Sequence, residues 1–427
     1  MKQNEIRPGV YVNVGVANLK ANSFDQSGIV TIPLELDWGD TEGFTIINQN
    51  ETPLYKLGRD IKHLQMLPVR EALKKCESVL VYRLNGGIKA SATLATNVTA
   101  TAKYPGVRGN DITVTVKVDA TTSIATVKTF FDDVEMDIQK VTTISEFKDN
   151  GLVVITGAGT FVDTSIKLTG GSNKSVTGSL TKYLDALVTQ EFNTIAYPST
   201  DDAGKSLIIE WVKGQRGDNA KLVQAVLENV AANYEGIISV KNGVILEDGT
   251  QLLAKDCTAF VAGATAGATA KTSNTYAIYE GAVDCNPRLT PTQIENAILT
   301  GNICFARHNQ GIAIEYDINT LTSFEYKSKD FRKNKIVRVI DRMTQDVIAI
   351  YEANYIGKVQ NNTEGRNRLK GTLAEYLQAL QSAGVIEEFI TSDIIIDALQ
   401  DKDSVSVKVG VKPVDSIDKI YIDVEVR

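Results

Sequence analysis

Lys419-Ile420-Tyr421-Ile422-Asp423-Val424-Glu425-Val426-Arg427 alternates without a break. In an extended chain successive side chains point to opposite faces. Ile420, Ile422, Val424 and Val426 therefore share one face, and Tyr421, Asp423, Glu425 and Arg427 the other. This period of two predicts a strand. Chain ends fray unless something ties them down, so a strand here needs an edge to pair with. The pattern returns near the other end, where Val10, Val12, Val14 and Val16 alternate with Tyr11, Asn13, Gly15 and Ala17. A chain with such strands at both ends can close a sheet on itself or lend strands to other copies.

Composition bounds the rest. At 427 residues the chain exceeds what one core usually supports, so more than one domain is expected. An apolar fraction of 43% is that of a globular protein, and a net charge of -7 argues against a general nucleic-acid binder. No apolar run approaches the roughly 18 residues a membrane span needs. Met1 to Pro8 holds no apolar leader core, so synthesis and folding in the cytoplasm are expected. Cys76, Cys257, Cys285 and Cys304 are widely spaced with no C-x-x-C pair, which reads as four small buried side chains and not a disulfide framework.

Five regions follow from the patterning. Residues 1–20 form an arm carrying the first strand. Residues 21–87 are the first part of a core, with strands at 29–36 (Pro33 at an edge or bulge) and 79–84, and a short helix at 69–76. Residues 88–178 are rich in Thr and Val and contain no Trp, His or Cys; Ile112, Val114, Val116 and Val118 alternate with polar residues. They read as an inserted, exposed β-rich domain. Residues 179–310 alternate helix and strand, the mark of an α/β layer. Ser179 caps a helix carrying Leu180, Tyr183, Leu184 and Leu187, and another helix spans 201–213. The small residues of 251–270 suggest a closely packed helix, then a loop. Thr290, Pro291, Gln293 and Gly301 bracket a further helix with a capping box and a stop. Residues 311–427 form a C-terminal domain with helices at 340–355, 363–383 and 391–399, then strands at 405–411 and 419–426. The fold class is therefore multidomain α/β and α+β.

No reactive constellation emerges. His63 and His308 are isolated, Gly157-Ala158-Gly159-Thr160 lacks the ending of a phosphate loop, and no G-x-S-x-G elbow is present. No catalytic, cofactor or metal site is expected, and an enzyme is not the reading. One charge feature stands out: Lys327, Lys329, Arg332, Lys333, Lys335, Arg338 and Arg342 against only Asp330 and Asp341. It fits either a solvated face or a patch for an acidic partner. Arg366, Arg368 and Lys370 open the 363–383 helix, where the helix dipole disfavours cations.

Several stretches together resemble the contractile tail sheath proteins of phages and phage-tail-like bacteriocins, in particular those of Gram-positive phages and defective prophages. They are Arg7-Pro8-Gly9-Val10-Tyr11-Val12, Lys103-Tyr104-Pro105-Gly106-Val107-Arg108-Gly109-Asn110-Asp111, Gly311 to Thr322 with Asn319-Thr320-Leu321-Thr322, Tyr355-Ile356-Gly357-Lys358, and Val411-Lys412-Pro413-Val414-Asp415. The resemblance implies a structural subunit stacked as six-membered rings in a helical sheath around a tail tube, with baseplate and tail terminator proteins as further partners, and neither direct nucleic-acid contact nor membrane insertion. Contraction would drive the tube through a target envelope. The sheet of the C-terminal domain would be completed by strands from neighbouring subunits. Val10, Val12, Val14, Ile420, Ile422 and Val424 are then the inward side chains of the linking strands. Lys327, Lys329, Arg332, Lys333, Lys335, Arg366, Arg368 and Lys370 become candidate tube contacts. The rival reading is a surface adhesin or carbohydrate-binding protein built on the Thr-rich β domain.

Overall fold

The computed structural model describes residues 28–218 and 221–425. The expected strand at 10–16, with Val10, Val12 and Val14, lies outside the described residues.

Seven strands build the central sheet, in the spatial order Asn302–Ile303, Ile237–Val240, Gln224–Glu228, Thr194–Ala196, Ile29–Leu34, Ser78–Arg83, Phe44–Asn48. All neighbours run parallel except the last pair. A parallel sheet has to be covered on both faces, and the sequence supplies apolar residues to both. Val30, Ile32, Val79, Val81, Val226, Ile238 and Val240 pack towards helices Leu67–Leu73 and Ala254–Gly267. Leu80, Ile195, Ala225, Leu227 and Ile237 pack the other way, towards helices Ser179–Leu187 and Asp202–Asp218. Pro33 is not at an edge. It lies in a central strand, where the ladder to Thr194–Ala196 has already ended at Thr31, so its missing N–H breaks no pairing there.

The small-residue helix is as closely packed as expected. A Cβ on Gly263 would lie 2.3 Å from the Ala72 carbonyl oxygen, and one on Gly267 1.9 Å from that of Lys75. Between the same layers the fully buried Glu71 accepts from the Tyr279 hydroxyl at 2.7 Å and pairs with Arg70 and Lys74. The helix Pro291–Leu299 has the anticipated capping box, with Thr290 and Gln293 bonded reciprocally.

Inserted in the chain between the strands Ser78–Arg83 and Thr194–Ala196 of this sheet is a β-sandwich. One sheet orders Val153–Gly157, Val98–Ala102, Ser91–Ala95; the other orders Thr164–Lys167, Ile112–Val118, Ala125–Phe131, Val134–Val141. Their facing residues, among them Val98, Ala100, Val114, Val116, Val127 and Leu152, form a separate core. Helices Asn334–Asn354 and Thr363–Ser382 form the last body with the hairpin Ile394–Ala398 and Val405–Val409, around Leu373, Leu377, Leu380 and Ile394.

Two local expectations fail for identifiable reasons. Residues 391–399 are not a helix: a short turn at Thr391–Asp393 leads into the strand Ile394–Ala398. Three consecutive isoleucines with a facing strand favour the pleated form. Ser179 is the first helical residue and not the cap, because Gly178 takes the left-handed conformation before it (φ 68). Residues 419–425, expected to pair with another copy, form no strand among the described residues.

Replacing Gly263 by Val should push the two helices apart and cost about 3 kcal/mol, read as a lower urea midpoint for the purified subunit. An unchanged midpoint would mean the helices are not packed through their backbones.

Candidate inter-subunit site

The chain leaves its last body through a charged clamp. The Lys333 ammonium, at the N-terminus of helix Asn334–Asn354, donates to Asp415 and Asp418 at 2.5 Å each. Burial lowers its pKa, but the two carboxylates outweigh that and hold it above its ordinary value. Lys335, buried beside it, donates to the Ser416 hydroxyl at 3.0 Å; burial lowers its pKa. Upstream, Lys412–Pro413 pairs with Ile386–Glu387. Past the clamp the chain projects into solvent. Ile420, Ile422 and Val424 are 75%, 77% and 81% exposed, and Tyr421 89%. Isolated exposed apolar residues need no explanation, but a contiguous run with strand alternation does. Among the described residues, the Ile394–Ala398 and Val405–Val409 hairpin is a sheet of two strands.

The basic segment is largely consumed inside the subunit. Lys327 pairs with Glu235 of the core. Arg332 donates to the Ile298 carbonyl. Arg338 donates to the Thr272 carbonyl at 2.8 Å and meets Asp317 at 3.3 Å. Arg342 pairs with Asp346 within its helix. Arg342 apart, these side chains, with Lys333 and Lys335 above, join the C-terminal body to the core and to its own tail, so the segment does not form one solvated basic face. Of the remaining candidate tube contacts, Lys329 and Arg368 are exposed, Lys370 is half-buried, and Arg366 donates to the Asn361 side chain at 2.9 Å.

Residues to which the sequence reading gave no structural role complete this joint. Arg216, on a core helix, forms a two-pronged pair with Asp341 at 2.7 and 2.8 Å. Burial raises the Asp341 pKa despite the guanidinium beside it. Asn319 and Thr320 are fully or almost fully buried. Asn319 donates to the Phe331 carbonyl and accepts from the Leu321 amide. Thr320 bonds Tyr234 and the Ile237 carbonyl at the core. The Asn319-Thr320-Leu321-Thr322 stretch is thus a polar staple between two bodies.

The Lys103-to-Asp111 stretch is the corresponding joint to the sandwich. Gly106 (φ 130) passes so close to the core that a Cβ would lie 2.0 Å from the Asp37 carbonyl. Arg108 is 3% exposed. It donates to the Gly58 carbonyl of the core, pairs with Asp111 and Asp132, and lies 4.3 Å from the Phe131 ring centre. From the core side, Arg83 donates to the carbonyls of Gly39, Pro105 and Gly86.

The bodies match known protein families in chain order. The family profile for the phage tail sheath protein central domain covers residues 173–320, that for the sheath C-terminal domain 326–427, that for the sheath β-sandwich domain 85–173, and that for the domain III N-terminal region of a tail sheath protein 27–84. The phage-like element PBSX protein XkdK of Bacillus subtilis is 35% identical over 99% of this chain and 97% of its own. The chain belongs to the phage tail sheath protein family. The solved sheath tail protein of Desulfitobacterium hafniense is 40% identical, covers 98% of this chain and all of its own, and superposes with a TM-score of 0.84. The helical sheath of the anti-feeding prophage in its contracted state, 11% identical with 98% of each chain covered, shares the fold at a TM-score of 0.59.

The chain is therefore a structural subunit of a contractile phage tail or related injection particle. The adhesin reading gains no support from these relatives. Among the described residues no helix is long and apolar enough to cross a membrane.

Two tests address the joints. Arg216→Met should cost about 3–5 kcal/mol by leaving Asp341 buried without its partner, and Arg216→Met with Asp341→Leu should recover most of that; equilibrium unfolding reads both. Lys333→Ala should release residues 414–418, seen as hydrogen exchange there rising towards that of an unstructured peptide while the helices remain protected.

Proposed function

We propose that the segment 419–427 is a linking strand that joins the C-terminal sheet of a neighbouring subunit. The observation that carries this is the exposed run Ile420, Ile422, Val424, which is anchored at its root by Lys333 and joins no sheet among the described residues. The two-stranded hairpin Ile394–Ala398 and Val405–Val409 offers open edges of the kind strand addition uses. Val10, Val12 and Val14 are the matching candidates on the arm at residues 1–20. Several main-chain hydrogen bonds made in a row are hard to break together, while short connections at each root bend. Such links let a lattice change pitch without coming apart.

In this reading subunits assemble in the host bacterial cytoplasm as hexameric rings stacked helically on a tail tube, between a baseplate and a terminator. Residues 21–87 with 179–310 form the core, 88–178 the outward-facing domain, and 311–427 the C-terminal domain nearer the tube. Contraction is a two-state change of packing between subunits that propagates from ring to ring. Of the basic residues, Lys329 and Arg368 are the ones left to meet an acidic tube surface.

Deleting residues 419–427 should leave a soluble subunit with unchanged melting that builds no sheath by electron microscopy; normal sheaths from the truncated chain would overturn the linking role. Lys329→Glu with Arg368→Glu should weaken co-assembly with the tube and spare tube-free polymers. Equal loss of both would point to a lattice contact instead.

A further inference from the structure

A cleft of about 330 Å³ lies between the core and the C-terminal body. One wall is the start of the parallel strands and the end of helix Ala254–Gly267, with Ile29, Thr194, Gln224, Thr265 and Ala266; the other is one face of helix Asn334–Asn354, with Arg338, Asp341, Arg342 and Gln345. The cleft sits at the amino ends of the strands, away from the carboxyl-end crevice where open α/β sheets usually take ligands. Its donors, and not the topology, mark it as a site. The Thr265 hydroxyl, on a residue 3% exposed, has no hydrogen-bond partner among the described residues. A threonine inside a helix commonly bonds back to a carbonyl one turn earlier, whereas this one is left to the cleft. The Arg338 side chain is 12% exposed. Its Nη2 donates to the Thr272 carbonyl and meets Asp317, while its Nε and Nη1 have no partner among the described residues. Buried donors without acceptors are costly.

Charge decides which acceptor fits. Asp341 is taken up by Arg216, and Arg342 by Asp346. Arg338 shares its charge with Asp317, and Glu77 adds a carboxylate to the lining. The walls are therefore close to neutral, which disfavours a strongly acidic segment and suits one small anion whose oxygens meet the open donors. We propose that the cleft binds a single small oxyanion, a carboxylate or a phosphate, accepting from Arg338 and Thr265. One donor belongs to the C-terminal body and the other to the core, so the bound anion bridges the joint that the Arg216–Asp341 pair closes. It binds one relative placement of the two bodies and stabilises that placement by mass action.

Titration calorimetry of the full-length, unassembled subunit tests this, with inorganic phosphate and with succinate as probes at constant ionic strength. At least one should bind saturably, one per subunit, and which one binds tells a phosphate site from a carboxylate site. Arg338→Gln should weaken that binding at least tenfold, as loss of a charge-assisted hydrogen bond does. Thr265→Val should weaken it roughly tenfold and leave the melting temperature of the anion-free subunit unchanged or higher, because the hydroxyl it removes is buried and unpaired. A merely structural hydroxyl would give the opposite sign, so a lower anion-free melting temperature for Thr265→Val would overturn the assignment. Absence of saturable binding by both probes would overturn the site, and so would binding that neither variant weakens.

Discussion

A guanidinium taken out of water has to spend its donors on carbonyl and carboxylate oxygens, and that requirement fixes how the three bodies of this subunit sit together. Arg108 and Arg83 do this where the sandwich meets the core, gathering oxygens from Gly58, Pro105, Gly39, Asp111 and Asp132. Arg216 does it where the core meets the C-terminal body, through Asp341. Such pairs add little net stability compared with apolar packing, but they are unforgiving about geometry. Apolar layers set what each body is; these ions set how the bodies are oriented.

This division of labour suits a sheath subunit. A part that changes its contacts with neighbours during contraction benefits from internal joints that do not give. The charges that might have served an external acidic partner are mostly used within the chain: Lys327, Arg332, Lys333, Lys335 and Arg338 all find internal acceptors. The groups left projecting are apolar and extended, at Ile420, Ile422 and Val424. Main-chain pairing with a neighbour would use them without requiring any charge to be desolvated.

Two of the stretches that carried the family resemblance have plain physical explanations in the fold. Gly106 is glycine because the chain there runs against the Asp37 carbonyl with φ 130. Asn319 and Thr320 are polar yet buried because each satisfies main-chain groups across a joint. Neither fact is visible in periodicity, since both depend on chain segments far away in sequence.

The sequence by itself determined the kinds of element and their layering. Period-two alternation marked the sandwich strands, the succession of helix and strand marked the α/β layer, Thr290 to Gly301 marked its own helix, and the motif order pointed to the family. Those features are local, so a single sequence displays them. Only the tertiary structure decided which charges were free, that Thr391–Asp393 leads into a strand, and that Lys333 clamps Asp415 and Asp418 across the fold. It also decided that residues 419–425, whose pattern is that of a strand, stand unpaired as a strand among the described residues. A strand's pattern is written in its side chains, but its hydrogen bonds belong to whatever edge lies alongside, and no sequence period specifies that edge.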